Sequence, residues 1–158
     1  MNPRVAATAV SAGVILAATP IVMHFEGEFR SAYRDPVGIV TDCFGHTKTA
    51  KMGTTNTHEQ CMAKLKADFE EHYAGMQRCL VRELPVNVQA AALSFTFNVG
   101  VQKFCTSTMA AKFNVGDIAG GCAEMSRWIN AGGKPLPGLV KRRAAERQLC
   151  EQDLGTVQ

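Results

Sequence analysis

Val5 to Met23, VAATAVSAGVILAATPIVM, runs for 19 residues without a charge. Arg4 is the only charged side chain before it, and the first acid, Glu26, follows it closely. A bilayer-crossing helix takes ~20 apolar residues, so a run of this length must be hidden in lipid or in a protein core. Its Ala, Gly, Ser and Thr content leaves it only weakly hydrophobic. Three readings compete: an uncleaved signal-anchor, a signal peptide cut near Ala17 and Ala18, and a plain core helix. Length and the leading arginine favour export. Cleavage after Ala18 would leave only a short apolar lead into Glu26, which favours the uncleaved form. Arg4 on the cytoplasmic side then places the rest of the chain in the periplasm. Residues 1–25 are read as an export signal or anchor, and residues 26–158 as one globular domain.

Composition narrows the class of that domain. Apolar residues make up 46% of the chain and charged residues 20%, a globular balance. The net charge of +3 comes with no arginine-rich stripe, so the chain predicts no nucleic-acid partner. Six cysteines form no C-x-x-C, and the histidines (24, 46, 58 and 72) are scattered. The sequence therefore predicts no metal site and no cofactor.

The chemistry concentrates in Glu26 to Thr47, EGEFRSAYRDPVGIVTDCFGHT. Glu26 closes the apolar run, and apolar surroundings suit a neutral, proton-donating carboxylic acid. Asp35 stands in Arg34-Asp35-Pro36-Val37-Gly38, a turn composition that predicts a wetter, ionised carboxylate. Two carboxylates with opposite environments are what glycoside hydrolysis requires: one protonates the leaving oxygen, the other works on the far face of the sugar. Ile39-Val40-Thr41 is β-branched and flanked by glycines, so it predicts a strand. On that strand Thr41 and Cys43 share one face, and Asp42 points the other way, toward water.

The remainder predicts helices. Thr57-His58-Glu59-Gln60 is a capping box. It opens a helix through about Leu80, with Leu65, Phe69, Tyr73, Met76 and Leu80 on one stripe. That helix would link a small strand-bearing lobe to a larger helical one. After Pro85, Asn87 can cap a helix that is apolar nearly all round, the buried centre of the large lobe, ended by Gly100. Thr106 can cap a short helix, and Asp117 another reaching Trp128. Gly132 to Pro135 reads as a loop, and Leu139 to Gln152 as a last helix carrying Lys141, Arg142, Arg143 and Arg147.

Glu26-Gly27, Tyr33, Asp35, Gly38, Thr41, Gly45-His46 and Thr47 stand at the offsets of the E-G…Y-x-D-x-x-G-x-x-T…G-H signature. In these residues the chain resembles the phage-type lysozymes, glycoside hydrolase family 24. Further likeness runs through Ser94 to Gly100, Thr106 to Thr108, Arg127-Trp128, Ala131 to Gly133, and Gly138-Leu139…Arg142-Arg143…Glu146-Arg147. The resemblance implies an α+β, mainly helical phage-lysozyme fold, with an N-terminal apolar helix and a muramidase domain over residues 26–158. It implies Glu26 as general acid, and Asp35 with Thr41 on the far side of the sugar, with inversion. It implies Asn98 and Ser107 along the sugar cleft; their plain alternatives are a helix end and a helix cap. His46 is read as a brace of the small lobe. Arg142 or Arg143 would pair with Glu26; the alternative is a solvated basic face. Trp128 is read as core.

The implied activity is that of an endolysin cutting the β-1,4 bond between N-acetylmuramic acid and N-acetylglucosamine in peptidoglycan, without metal or cofactor. Its partners would be glycan strands and, transiently, the inner membrane; the chain would act as a monomer. The rivals are a lytic transglycosylase, which needs only the acid, an idle wall-binding or phage structural module, and a small disulfide-rich inhibitor or toxin. An intact Glu26–Asp35–Thr41 set speaks against the first two, and a core helix as apolar as Val88 to Val99 against the third. An exported chain with an even cysteine count suggests bridges between chain neighbours: Cys43–Cys61, Cys79–Cys105 and Cys122–Cys150. Residues 1–25 lack cysteine, so restraint before lysis would be topological, as in signal-arrest-release endolysins, and not by thiol exchange.

Overall fold

The computed structural model describes residues 3–155, with side chains from residue 11 onward. The Arg4 side chain, on which the expected orientation rests, lies outside the described residues. Helix α1 spans Pro3–Glu26 and contains Pro20. A proline there removes one donor from the helical ladder, and Thr19 Oγ1 donates to the Ile15 carbonyl at 2.7 Å just before it. Val14, Ala18 and Val22, four residues apart on one face, are wholly buried. They pack α1 onto α3 (Val86–Val99). Among the described residues no helix is long and apolar enough to cross a membrane.

Helix α3 is the axis of the larger lobe. Every residue from Val88 to Thr96 is buried, as expected for a helix apolar nearly all round. It packs against α1, against α2 (His58–Gln77) and against α7 (Pro137–Glu151). Thr57 and Gln60 close the predicted capping box at the start of α2. The helix ends at Gln77, before Leu80, because the chain turns toward Cys79 and its bridge. Short helices α4 (Val101–Cys105), α5 (Thr108–Val115) and α6 (Ile118–Glu124) complete the lobe, with a 3-10 turn at Met125–Arg127.

The small lobe is an antiparallel hairpin of β1 (Phe29–Arg34) and β2 (Val40–Cys43). The 54–56 segment covers the other edge of β1 through Ala32 N–H to Thr54 O and Asn56 N–H to Arg30 O. Helix α2 joins this lobe to the larger one, and Cys43–Cys61 fastens β2 to it. Cys79–Cys105 brackets α3 in sequence, and Cys122–Cys150 ties α6 to α7.

Four local expectations are corrected. Asn87 does not cap α3; its amide lies one residue inside and donates to the carbonyls of Leu149, Cys150 and Gln152, closing the end of α7. Ser107, not Thr106, caps α5, accepting from Ala110 N–H at 3.1 Å, while the Thr106 hydroxyl turns back to Gln102 O. The Gly132–Gly133 region is the turn of a small hairpin, β3 (Asn130–Ala131) with β4 (Lys134–Pro135), because both glycines take positive φ. Asp42 does lie opposite in parity to Thr41, but the face it enters is covered by α2 and the 54–56 segment. It is fully buried, paired with Lys64 Nζ at 2.6 Å and with Asn56 Nδ2 at 3.0 Å.

Candidate active site

Glu26 is the last residue of α1. Gly27 follows in the left-handed region, φ +73°, where the chain leaves the helix for β1. The next turn brings β2 back to Glu26. Asp42 and His46 exchange backbone hydrogen bonds at 2.9 Å each, and a Cβ on Gly45 would sit 3.4 Å from Glu26 Oε2. The acid therefore lies at the base of the hairpin, against its returning strand.

Asp35 and Thr41 lie further along that hairpin. Asp35 Oδ1 accepts from Val37 N–H at 3.0 Å and Ile39 N–H at 2.8 Å. It thereby shapes the connecting turn, which reverses through Gly38 at φ +87°. Thr41 is 5% exposed and donates to Ile39 O at 3.2 Å. It is registered opposite Tyr33, and directly opposed residues of antiparallel strands share a face. Asp35 follows the end of β1, in the turn that connects it to β2.

In the helical lobe Arg142 holds Glu26. Its Nη1 donates to Glu26 Oε1 at 2.6 Å, its Nε to Glu146 Oε1 at 3.1 Å, and its Nη2 to Ser94 O at 3.2 Å. Glu146 is fully buried. It also accepts from Ser94 Oγ at 2.7 Å and from Arg143 Nη1. Arg143 in turn donates to Asn98 Oδ1 and, at 3.0 Å, to Trp128 O, and its guanidinium lies 4.7 Å from the Phe95 ring centroid. Burial lowers the Arg143 pKa, and Glu146 opposes that shift. The solvated basic face is thus excluded for these two arginines. The expected apolar surroundings of Glu26 are corrected as well: Phe25 is beside it, but a guanidinium faces it.

Phe25, Glu26, Asn98, Arg142 and Leu136 to Leu139 line a cavity of about 450 Å³. Asp35, Thr41 and Ser107 do not line it. Ser107 is buried at the start of α5, its hydroxyl also donating to Phe104 O at 2.6 Å. His46 joins the lobes, with Nδ1 2.7 Å from Asp68 Oδ2 on α2 and Nε2 2.8 Å from Thr49 Oγ1. Trp128 packs edge-on to Phe95, centroids 5.2 Å apart. A larger cavity, about 560 Å³, opens between α1 and α2 from Ser11 to Glu70. Its lining is nearly all apolar, and its only charged groups, Lys66 and Glu70, pair with each other. Glu26, Asp35 and Thr41 do not line it. Glu146 and Ser94 were not singled out from sequence; the available signal was a carboxylate three and four residues after two adjacent arginines.

The profile of the phage lysozyme family matches residues 23–146. A SAR-endolysin of Bacteriophage PS119 is 37% identical over 149 residues, covering 90% of this chain and 89% of that protein. The muramidase domain of SpmX from Asticaccaulis excentricus superposes with a TM-score of 0.79 at 29% identity, over 88% of this chain and 94% of the other. The active form of the P1 phage endolysin Lyz gives 0.82 over 92% and 94%, at 24% identity, a likeness of fold. The family match over most of the chain and the identity to the PS119 protein show that this chain belongs to the phage lysozyme family.

Proposed function

We propose that this chain is a peptidoglycan-hydrolysing endolysin that cuts the β-1,4 bond between N-acetylmuramic acid and N-acetylglucosamine with inversion. Membership of the phage lysozyme family carries the glycosidase class. The observation that supports the site is Glu26 at the end of α1, held by Arg142 and followed by a hairpin with Asp35 in its turn and Thr41 on β2. Glu26 protonates the glycosidic oxygen as the bond breaks. Asp35, ionised in its turn, takes a proton from a water that Thr41 helps to hold, and that water attacks the anomeric carbon from the opposite side. Arg142 orients the Glu26 carboxyl group, and Asn98 meets the sugar chain in the same cavity. Glu26→Gln should remove clearing of permeabilised cells while keeping the fold, a loss of at least ~10²-fold. Near-parental clearing by folded Glu26→Gln protein would end this assignment. Reducing sugar ends on the released fragments mark hydrolysis, and anhydro ends mark transglycosylation.

The same proposal extends to export. Residues 1–25 serve first as an uncleaved signal-anchor that holds Glu26 at the periplasmic face of the inner membrane, then leave the bilayer, Pro3 onward forming α1. Relatives described as SAR-endolysins support this order. So does the fully buried Val14–Ala18–Val22 stripe, since cleavage after Ala18 would remove part of the core. Ser11→Leu with Gly13→Leu should leave the protein membrane-bound and inactive. Lysis at the parental rate from the membrane-bound double variant would sink the topological restraint, and a mature protein beginning after Ala18 would identify a cleaved signal.

A further inference from the structure

Two aromatic rings stand in water beside the candidate active site. Phe29 is 52% exposed and Tyr33 37% exposed. Their centroids lie 5.2 Å apart, with the planes tilted by 54°. Scattered exposed apolar residues need no explanation, but an exposed aromatic pair in contact, next to a cleft, marks a binding surface.

The register places this pair. Tyr33 opposes Thr41 and therefore shares its face. Asp35 and the half-exposed Ile39 follow in the turn between the two strands, joined by Ile39 N–H to Asp35 Oδ1 at 2.8 Å. At the other end Phe29 packs over the start of the strand: a Cβ on Gly27 would meet its Cε2 at 3.2 Å. Gly27 directly follows Glu26. The rings thus stand on the strand that leads from Glu26 to the turn holding Asp35, one beside Gly27 and the other in register with Thr41.

We propose that Phe29 and Tyr33 form a stacking platform for one N-acetylated sugar ring of the glycan strand, adjacent to the bond that Glu26 cleaves. This rests on the glycosidase reading above and adds a subsite to it. A pyranose ring presents one face of C–H bonds, apolar and slightly positive. An aromatic face is apolar and slightly negative. Stacking the two buries apolar area on both partners and leaves the sugar hydroxyls in water, where no desolvation opposes binding. A peptide or a second copy of the chain would need polar partners or a wider apolar face; here the surrounding β1 side chains Arg30 and Arg34 are engaged with Glu28 and with Gly38 O.

The test uses chitohexaose, a glycan without stem peptide, bound to full-length Glu26→Gln protein so that it is not cut, with affinity read by calorimetry. Phe29→Ala with Tyr33→Ala should weaken binding about tenfold relative to the Glu26→Gln parent. Phe29→Leu with Tyr33→Leu keeps apolar bulk without flat π faces and should recover less than half of that loss. Val81→Ala removes an exposed but unrelated apolar side chain and should change nothing. Affinity of the double alanine variant within about twofold of its parent, with melting unchanged, overturns the platform and leaves the glycosidase reading intact. A change confined to sedimentation would overturn it too and assign the rings to self-association. A parent that binds no chitohexaose overturns the platform as a site for a plain N-acetylated sugar ring and leaves the glycosidase reading to the clearing assay.

Discussion

Replacing Glu146 by glutamine tests whether one buried carboxylate organises the floor of the site. The side chain is fully buried and is the shared acceptor of Arg142, Arg143 and Ser94. Glutamine has the same shape and can still accept from Ser94 Oγ and Arg142 Nε. It turns an amide N–H toward Arg143 and removes the only negative charge between two guanidiniums. Arg143, itself 1% exposed, cannot swing into water. Unit charges ~4 Å apart interact by about 4 kcal/mol at an effective dielectric constant of 20. Measured losses on removing one partner of a buried pair run to ~3–5 kcal/mol. We therefore expect Glu146→Gln to cost about 3–5 kcal/mol in urea unfolding at neutral pH. A domain stable by ~5–15 kcal/mol would remain folded in buffer. Glu70→Gln is the control: it breaks the exposed Lys66–Glu70 pair and should cost ~0–1 kcal/mol. If Glu146→Gln costs no more than Glu70→Gln, with the same m-value, the carboxylate does not hold the two arginines and the reasoning fails.

Asp42→Asn should cost about 1–3 kcal/mol, because Lys64 keeps some access to solvent; a double-mutant cycle with Lys64→Met that gave no coupling would refute a working ion pair. Replacing Cys122 and Cys150 together by serine opens a loop with a sequence separation of 28 and should lower unfolding free energy by ~3.5 kcal/mol; equal urea midpoints for the two proteins would contradict this. Burial raises the Tyr73 pKa, and its hydroxyl donates to Gln89 Oε1 at 2.9 Å. A raised folded value means that its contribution is full below the unfolded value near ~10 and is lost as pH rises through the folded one. Tyr73→Phe should therefore flatten the alkaline limb of the stability curve, and an unchanged limb would place the titration elsewhere.

What the sequence made legible follows from the range of the forces involved. The capping box at Thr57, the stop at Gly100 and the cap at Asp117 are local, and each forms where its residues stand. Asn87 misled because its amide has the cap chemistry but is satisfied 62–65 residues away, at the end of α7. Asp42 misled in a more instructive way. Strand parity correctly turned it away from Thr41, but parity gives direction and not what lies there; only the docking of α2 makes that side an interior.

Glu26 shows the same limit at the site. Its place at the end of an apolar run was readable, yet its strongest contact comes from Arg142, 116 residues later. The apolar run itself admitted three readings because all three demand burial of a weakly hydrophobic helix. In the fold, α1 buries Val14, Ala18 and Val22 and leaves Leu16 75% exposed. Val14, Ala18 and Val22 face α3, while the Ala, Gly, Ser and Thr content leaves the run as a whole only weakly hydrophobic. A weakly hydrophobic run with one apolar stripe can be hidden in lipid or against a core, so its composition, read alone, could not decide between them.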